Sequence, residues 1–195
     1  MISKNCNKEI MMIKSVKDIR DEYFDNNNKL SSQSIKDLMW HIENDPLPDR
    51  AISLVIDARL MDLVSLIAKH LDHEDDLVRE FTVSGLVGRL GLVKYADRAL
   101  QMAQQDPDSG PRSLATSSLG TVINKTDPVL KKKIAIYLYN VIMNAEYKKS
   151  LKRCAFDSIL EAMDISIPQQ ITIPYDENHD LVKQFKIKYG VKDNV

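Results

Sequence analysis

Cysteine is nearly missing from this chain of 195 residues: there are two, Cys6 and Cys154. Neither has a second cysteine at metal-ligand spacing, so neither a disulfide framework nor a cysteine metal site is expected. A reducing compartment suits such a chain, and a cytoplasmic location is the expectation. Glycine is scarce as well, and six in the whole chain argue against a protein built on β-turns. Tryptophan occurs once, as Trp40, read as a core anchor ahead of an interface residue. No sign of charge dominates. The net charge is -1, so no overall field draws the molecule onto nucleic acid or an anionic membrane. Near the N-terminus the apolar run at 10–13 is short and flanked by charge. It is neither a signal peptide nor a span, and no membrane contact is expected.

Catalytic signatures are missing too. There is no glycine-rich phosphate loop, no GxSxG elbow and no cysteine with a convincing histidine partner. His70 and His73 lie three apart beside Glu74 and Asp75. One such pair without a second matching set reads better as a capping turn than as a metal site. No enzyme activity, cofactor or metal is therefore expected.

What is present is ordinary for one domain with one core: 44% hydrophobic and 28% charged residues. Apolar periodicity and turn residues divide the chain into helices at 8–24, 35–42, 50–58, 60–71, 77–90, 93–103, 128–143 and 148–163, and the stretch 106–123 opens with turn residues and closes with a further amphipathic helix. Ser31 to Ser34 supply N-cap candidates, the acidic run 72–76 suits a positive helix start, and Asp127-Pro128 opens a helix cleanly. Gly91 reads as a helix C-cap. Residues 165–175, with two prolines, are expected extended, and a last short helix at 180–189 should end at Gly190. The tail is expected to cap the end of the helical stack. The division is one domain, with an N-terminal capping helix in 1–30, a stack of hairpins in 31–164 and a C-terminal cap in 165–195.

A pattern recurs within that stack. Arg79, Thr82, Gly85 and Leu86 are followed by Arg112, Ala115, Ser118 and Leu119, then by Lys152, Ala155, Ser158 and Ile159. Each set is a cation, two residues, a small residue, two residues, a small residue and a large apolar one. The spacing, roughly 33 and then 40 residues, is that of stacked helical hairpins. Small residues three apart share a helix face and let a neighbouring helix approach.

On these residues the chain resembles the HEAT-repeat (armadillo-like) α-solenoid family. Asp106, Pro111-Arg112, Ala115 and Leu119-Gly120 match the repeat's acid, apolar-Arg pair, small residue and Leu-Gly. Val78-Arg79 and Leu86 match with His73 in the acid's place, and Glu146, Leu151-Lys152 and Ala155 match more loosely. Arg50 after the turn at 43–49 is similar to a degenerate earlier unit. The resemblance covers roughly 31–164 and implies an all-α, right-handed α-α superhelix of about four hairpins, with an extended C-terminal tail. It also implies that the acid and the arginine bond within or between repeats, so Asp106 and Arg112 are structural. His-Glu pairs recur in HEAT-like metal hydroxylases. Here His73-Glu74 occurs once, and the resemblance does not reach that activity.

In such a stack the second helix of each hairpin lines the inner wall. Counting one, five and nine residues past each cation gives Glu80, Ser84 and Gly88, then Ser113, Ser117 and Thr121, then Arg153, Asp157 and Glu161. These stripes escape the apolar faces and are expected to be exposed, though a plain solvated face reads equally well. Together with Asp72, Asp75 and Asp76 they are the candidate partner-binding residues. The cations Lys131, Lys132, Lys133, Lys148, Lys149, Lys152 and Arg153 read as a solubilising end ahead of a nucleic-acid groove.

The leading expectation is a non-enzymatic protein-binding module. Abundant Asn, Lys and Ile fit an AT-rich bacterial genome. Small stand-alone proteins of this kind resemble immunity proteins, which block a cognate toxin by steric and electrostatic contact. The alternatives are a nucleic-acid-binding HEAT-like protein similar to DNA glycosylases, a general adaptor or scaffold, and a lyase-like scaffold similar to phycobilin lyases. The near-neutral charge speaks against nucleic acid, and no reactive constellation supports the lyase.

Overall fold

The structure, a computed structural model, describes residues 13–165, 173–176 and 179–192. Every regular element among these residues is helical and none is a strand. Helix α1 is Val16–Asp25, α2 Ser32–Asn44 and α3 Asp49–Asp57. Helix α4, Val64–Ile67, is extended by 3-10 turns at Met61–Leu63 and Ala68–Asp72. Helix α5, Asp76–Val83, runs straight into a π-helical segment, Ser84–Arg89. Then come α6 (Ala96–Gln105), α7 (Ser109–Ile123), α8 (Pro128–Met143), α9 (Lys149–Ala162) and α10 (Asp180–Lys188).

Several boundaries follow from side-chain chemistry. The first N–H groups of a helix have no partner within it, and a polar residue just before it accepts from them. Ser15, Ser31 and Asp75 accept from Asp18, Ser34 and Val78 at 3.1–3.2 Å. Asp127 accepts from both Val129 and Leu130, with Pro128 in the first turn. Gly91 follows the π segment in the left-handed region, φ +63°, where a side chain is strained. The tail helix likewise ends at Gly190, φ +59°. Residues 8–12 of the expected first helix, Cys6, and 166–172 of the expected extended tail lie outside the described residues.

Three expectations are corrected. The helix expected at 60–71 is broken into tight turns; Leu63, Val64, Ile67 and Leu71 still bury on one side. The helix expected at 77–90 changes winding at Ser84. Trp40 is not a core anchor but is 42% exposed. The buried face of α2 is Ser34, Asp37, Leu38 and Ile42, and at a helical period position 40 lies on the opposite side.

The packing places the second helix of each pair side by side. Helix α3 packs on α5, α5 and its π segment on α7, and α7 on α9, while α6 packs on α7 and α8 on α9. All nine small and apolar positions of the recurring pattern, from Thr82 to Ile159, are buried at these contacts. A methyl group built on Gly120 would lie 2.6 Å from the Ser158 carbonyl oxygen and 2.8 Å from its Cα, so α7 and α9 meet backbone to backbone. The Ser158 hydroxyl is within 2.5 Å of the Thr116 carbonyl and 2.9 Å of the Ser117 carbonyl. Tyr137 donates from α8 to the Ala103 carbonyl at 2.9 Å and meets the Thr116 hydroxyl at 2.8 Å, tying three helices. Burial pushes its phenol up to about 12.

The α5–α7 contact is held differently. Arg79 Nε and Nη2 donate to the two carboxylate oxygens of Asp106 at 2.9 and 2.8 Å, and Nη2 also reaches Asp108 at 2.7 Å. Arg79 Nη1 donates to the carbonyls of His73 and Glu74. Both Arg79 and Asp106 are buried. Burial pushes the Asp106 carboxyl up, but the Arg79 hydrogen bonds, the Asp108 N–H and the neighbouring positive charge outweigh it, and the net direction is down.

Helix α10 closes the other end. Val182, Phe185 and the following Val191 are buried against α8 and α9. The Tyr189 hydroxyl, pushed up to about 12 by burial, reaches Asn124 Oδ1 and the Ala162 carbonyl.

Candidate partner-binding face

Side by side, α5, α7 and α9 present one face away from the packed pairs. Every residue of the three stripes is half-buried, neither open nor enclosed. The cause is the close approach of neighbouring helices. The Glu80 carboxylate lies across the bare backbone of Gly110, where a methyl group would meet Oε1 at 1.5 Å. Thr121 donates to Glu161 Oε1 at 2.9 Å, joining α7 to α9. Ser113 turns its hydroxyl to the Ser109 carbonyl at 2.8 Å. Arg153 pairs with Asp157 at 2.8 Å along α9. The Ser117 carbonyl accepts from the Ser158 hydroxyl at 2.9 Å, a further link between α7 and α9.

The acidic residues at the α5 end have separate jobs. Asp72 is exposed and paired with Arg98. Asp75 caps α5. Asp76 and Glu80 have no cationic partner among the described residues. Burial raises the Glu80 carboxyl, and the charge of Asp76 adds to it. The neighbouring Arg79 charge opposes the rise without cancelling it.

Two residues on this face were not among the expected ones. Leu77 is 44% and Phe81 40% exposed. One helical turn apart, they form a contiguous apolar spot beside Asp76 and Glu80. Their phase identifies them: the buried face of α5 is Val78, Arg79, Thr82 and Val83, and 77 and 81 fall opposite it. In the sequence they merge with a generally apolar segment.

The basic residues do not gather into one open stripe. Lys131 and Lys132 donate to backbone carbonyls of Asn124 and of Tyr189 and Gly190. Arg153 is taken up by Asp157. Lys148 and Lys149 are exposed at the start of α9. His70 and His73 have ring centroids 5.6 Å apart, and His73 Nδ1 accepts the Asp75 N–H at 3.1 Å. Burial, then the neighbouring His73, lowers the His70 pKa. No group of three or more His, Cys, Asp or Glu side chains stands close enough to hold a metal ion among the described residues.

No known protein family, no curated protein and no solved structure matches this chain. Among the described residues no helix is long and apolar enough to cross a membrane.

Proposed function

We propose that this chain is a non-enzymatic protein-binding module, built as a HEAT-like right-handed superhelix, that seats a partner protein on the face formed by α5, α7 and α9. The order of helix contacts supports the architecture. So does the repeated use of an arginine to bond the two carbonyls that open its own loop: Arg79 on His73 and Glu74, Arg112 on Asp106 and Pro107. The observation that carries the binding reading is the exposed Leu77–Phe81 pair beside two acids without cations. Aromatic anchors ringed by charge concentrate binding energy in protein interfaces. The partner then presents a basic surface with an apolar pocket. Inhibition of a cognate bacterial toxin, by covering its active site, is the biological form given to this reading.

The test is capture of the partner from the native host with the tagged chain, compared with Leu77→Ser/Phe81→Ala. The expected result is one stoichiometric protein, bound at least about tenfold more weakly by the variant, whose toxicity the wild-type chain suppresses on co-expression. A partner retained equally by the variant, or no stoichiometric partner at all, removes the reading.

A further inference from the structure

The two arginines of the recurring pattern use their first nitrogen alike and their other two nitrogens differently. Arg79 Nη1 and Arg112 Nη1 each bond the carbonyls six and five residues earlier. The remaining fork of Arg79, Nε and Nη2, grips the Asp106 carboxylate from the next unit. The same fork of Arg112 has no acceptor among the described residues. In the corresponding place there is a cleft of about 350 Å³. It is lined by Arg112, Lys148, Tyr147 and the hydroxyl residues Ser109 and Ser150, with Glu146 as its only acid. Glu146 stands six residues before Lys152, as Asp106 stands before Arg112. It makes no ion pair with Arg112.

We propose that this cleft is an oxyanion site, in which the Arg112 fork takes from outside the group that Asp106 supplies to Arg79 from within. A planar guanidinium with two parallel N–H donors matches a carboxylate or a phosphate edge. Lys148 adds a second positive charge, and the hydroxyls of Ser109 and Ser150, which bond nothing else among the described residues, add neutral donors. The Ser113 hydroxyl is spent on Ser109 O and contributes none. The first turns of α7 and α9 begin here, with neither Asp108 nor Lys148 capping through its side chain, which favours negative charge further. Carboxylate and phosphate share this recognition. Two cations with several donors around one cleft favour the phosphate. The site does not depend on the Leu77–Phe81 face, so either reading can fail alone.

The test is titration of the full chain with inorganic phosphate and, separately, acetate at constant ionic strength held with chloride, following the backbone amide resonances of Ser109 and Ser150 in the cleft. Saturable binding of phosphate in the millimolar range is expected, with acetate about fivefold weaker or more. Arg112→Lys keeps the charge but loses the fork, and should weaken phosphate about tenfold. Lys148→Gln, an exposed change that leaves the fold alone, should weaken it about threefold. Tighter acetate than phosphate would assign the site to carboxylates. A non-saturating shift for both anions, or one unchanged in Lys148→Gln and Arg112→Lys, would overturn the proposal.

Discussion

The contact between α5 and α7 and the contact between α7 and α9 occupy equivalent places in the stack and are held by unlike chemistry. In the first, a buried arginine crosses to a buried aspartate and its neighbour. In the second, Ser158 meets two backbone carbonyls and a glycine lets the backbones touch. Charge does the aligning in one case and shape in the other. A recurring sequence pattern therefore specifies where helices meet without specifying what holds them. The two joints should respond to different injuries.

The largest expected effect is at the charged joint. Arg79→Met leaves the Asp106 charge buried without a cation and should cost about 3–5 kcal/mol in urea unfolding. Adding Asp106→Leu should recover more than half of that loss, since two apolar groups leave no orphan charge. Strict additivity of the two would show that the pair is not coupled. Next comes the shape-held joint. Gly120→Ala drives a methyl group into the Ser158 backbone and should cost about 1–3 kcal/mol. Gly110→Ala meets only the mobile end of Glu80 and should cost well under half as much. Equal losses would mean that backbone proximity does not matter at the second joint. Ser158→Ala removes the hydroxyl alone and should cost about 1 kcal/mol by the same measurement.

The smallest effect belongs to a third joint, between α1 and α2. There Glu22 accepts from Lys14 at 2.5 Å, Ser34 at 2.6 Å and the Ser31 N–H at 2.8 Å. These bonds, led by Lys14, hold its carboxyl down to about 2. A lowered acid stabilises the folded chain above its ordinary pKa, near 4.3. That stabilisation fades as the pH falls from there toward about 2. Hydrogen exchange of α1 amides should accelerate over this interval, and Glu22→Gln should abolish the pH dependence while costing a few tenths to about 1 kcal/mol. Acceleration that survives in Glu22→Gln would point to another group. Glu80 has the opposite sign. Its raised carboxyl must lose a proton to meet a basic partner, so partner affinity should weaken as the pH drops through its raised value.

Helix ends were legible in the sequence because they rest on local chemistry. Ser31, Asp75, Asp127, Gly91 and Gly190 act on residues within a turn of themselves, and the structure uses each as expected. Directions and reaches were less legible. Whether Trp40 points in or out depends on the phase of one helix against a neighbour that the local pattern does not contain. Arg79 and Asp106 are 27 residues apart, and only the stacking brings them together. The implied bond between acid and arginine is made by Arg79 and not by Arg112. The Arg79 fork crosses between units to the Asp106 carboxylate, whereas Arg112 stays within its own unit and bonds the Asp106 carbonyl. The outward Leu77 and Phe81 were hidden because apolar content alone does not say which side of a helix is wet. Half-burial of the polar stripes depends on how closely α5, α7 and α9 approach, which Gly120 sets between α7 and α9.

The π-helical stretch after α5 carries one more implication. In ordinary winding Gly85 and Gly88 would sit almost above one another on one flank. The looser coil there spreads them around the axis, so that a methyl group on Gly85 would strike Ile56 of α3 and one on Gly88 would crowd Ser118 of α7. This segment is thereby two-sided, bare toward α3 and toward α7. Were the coil wound as tightly as its neighbours, both gaps would gather on the same side and one neighbour would face a wall.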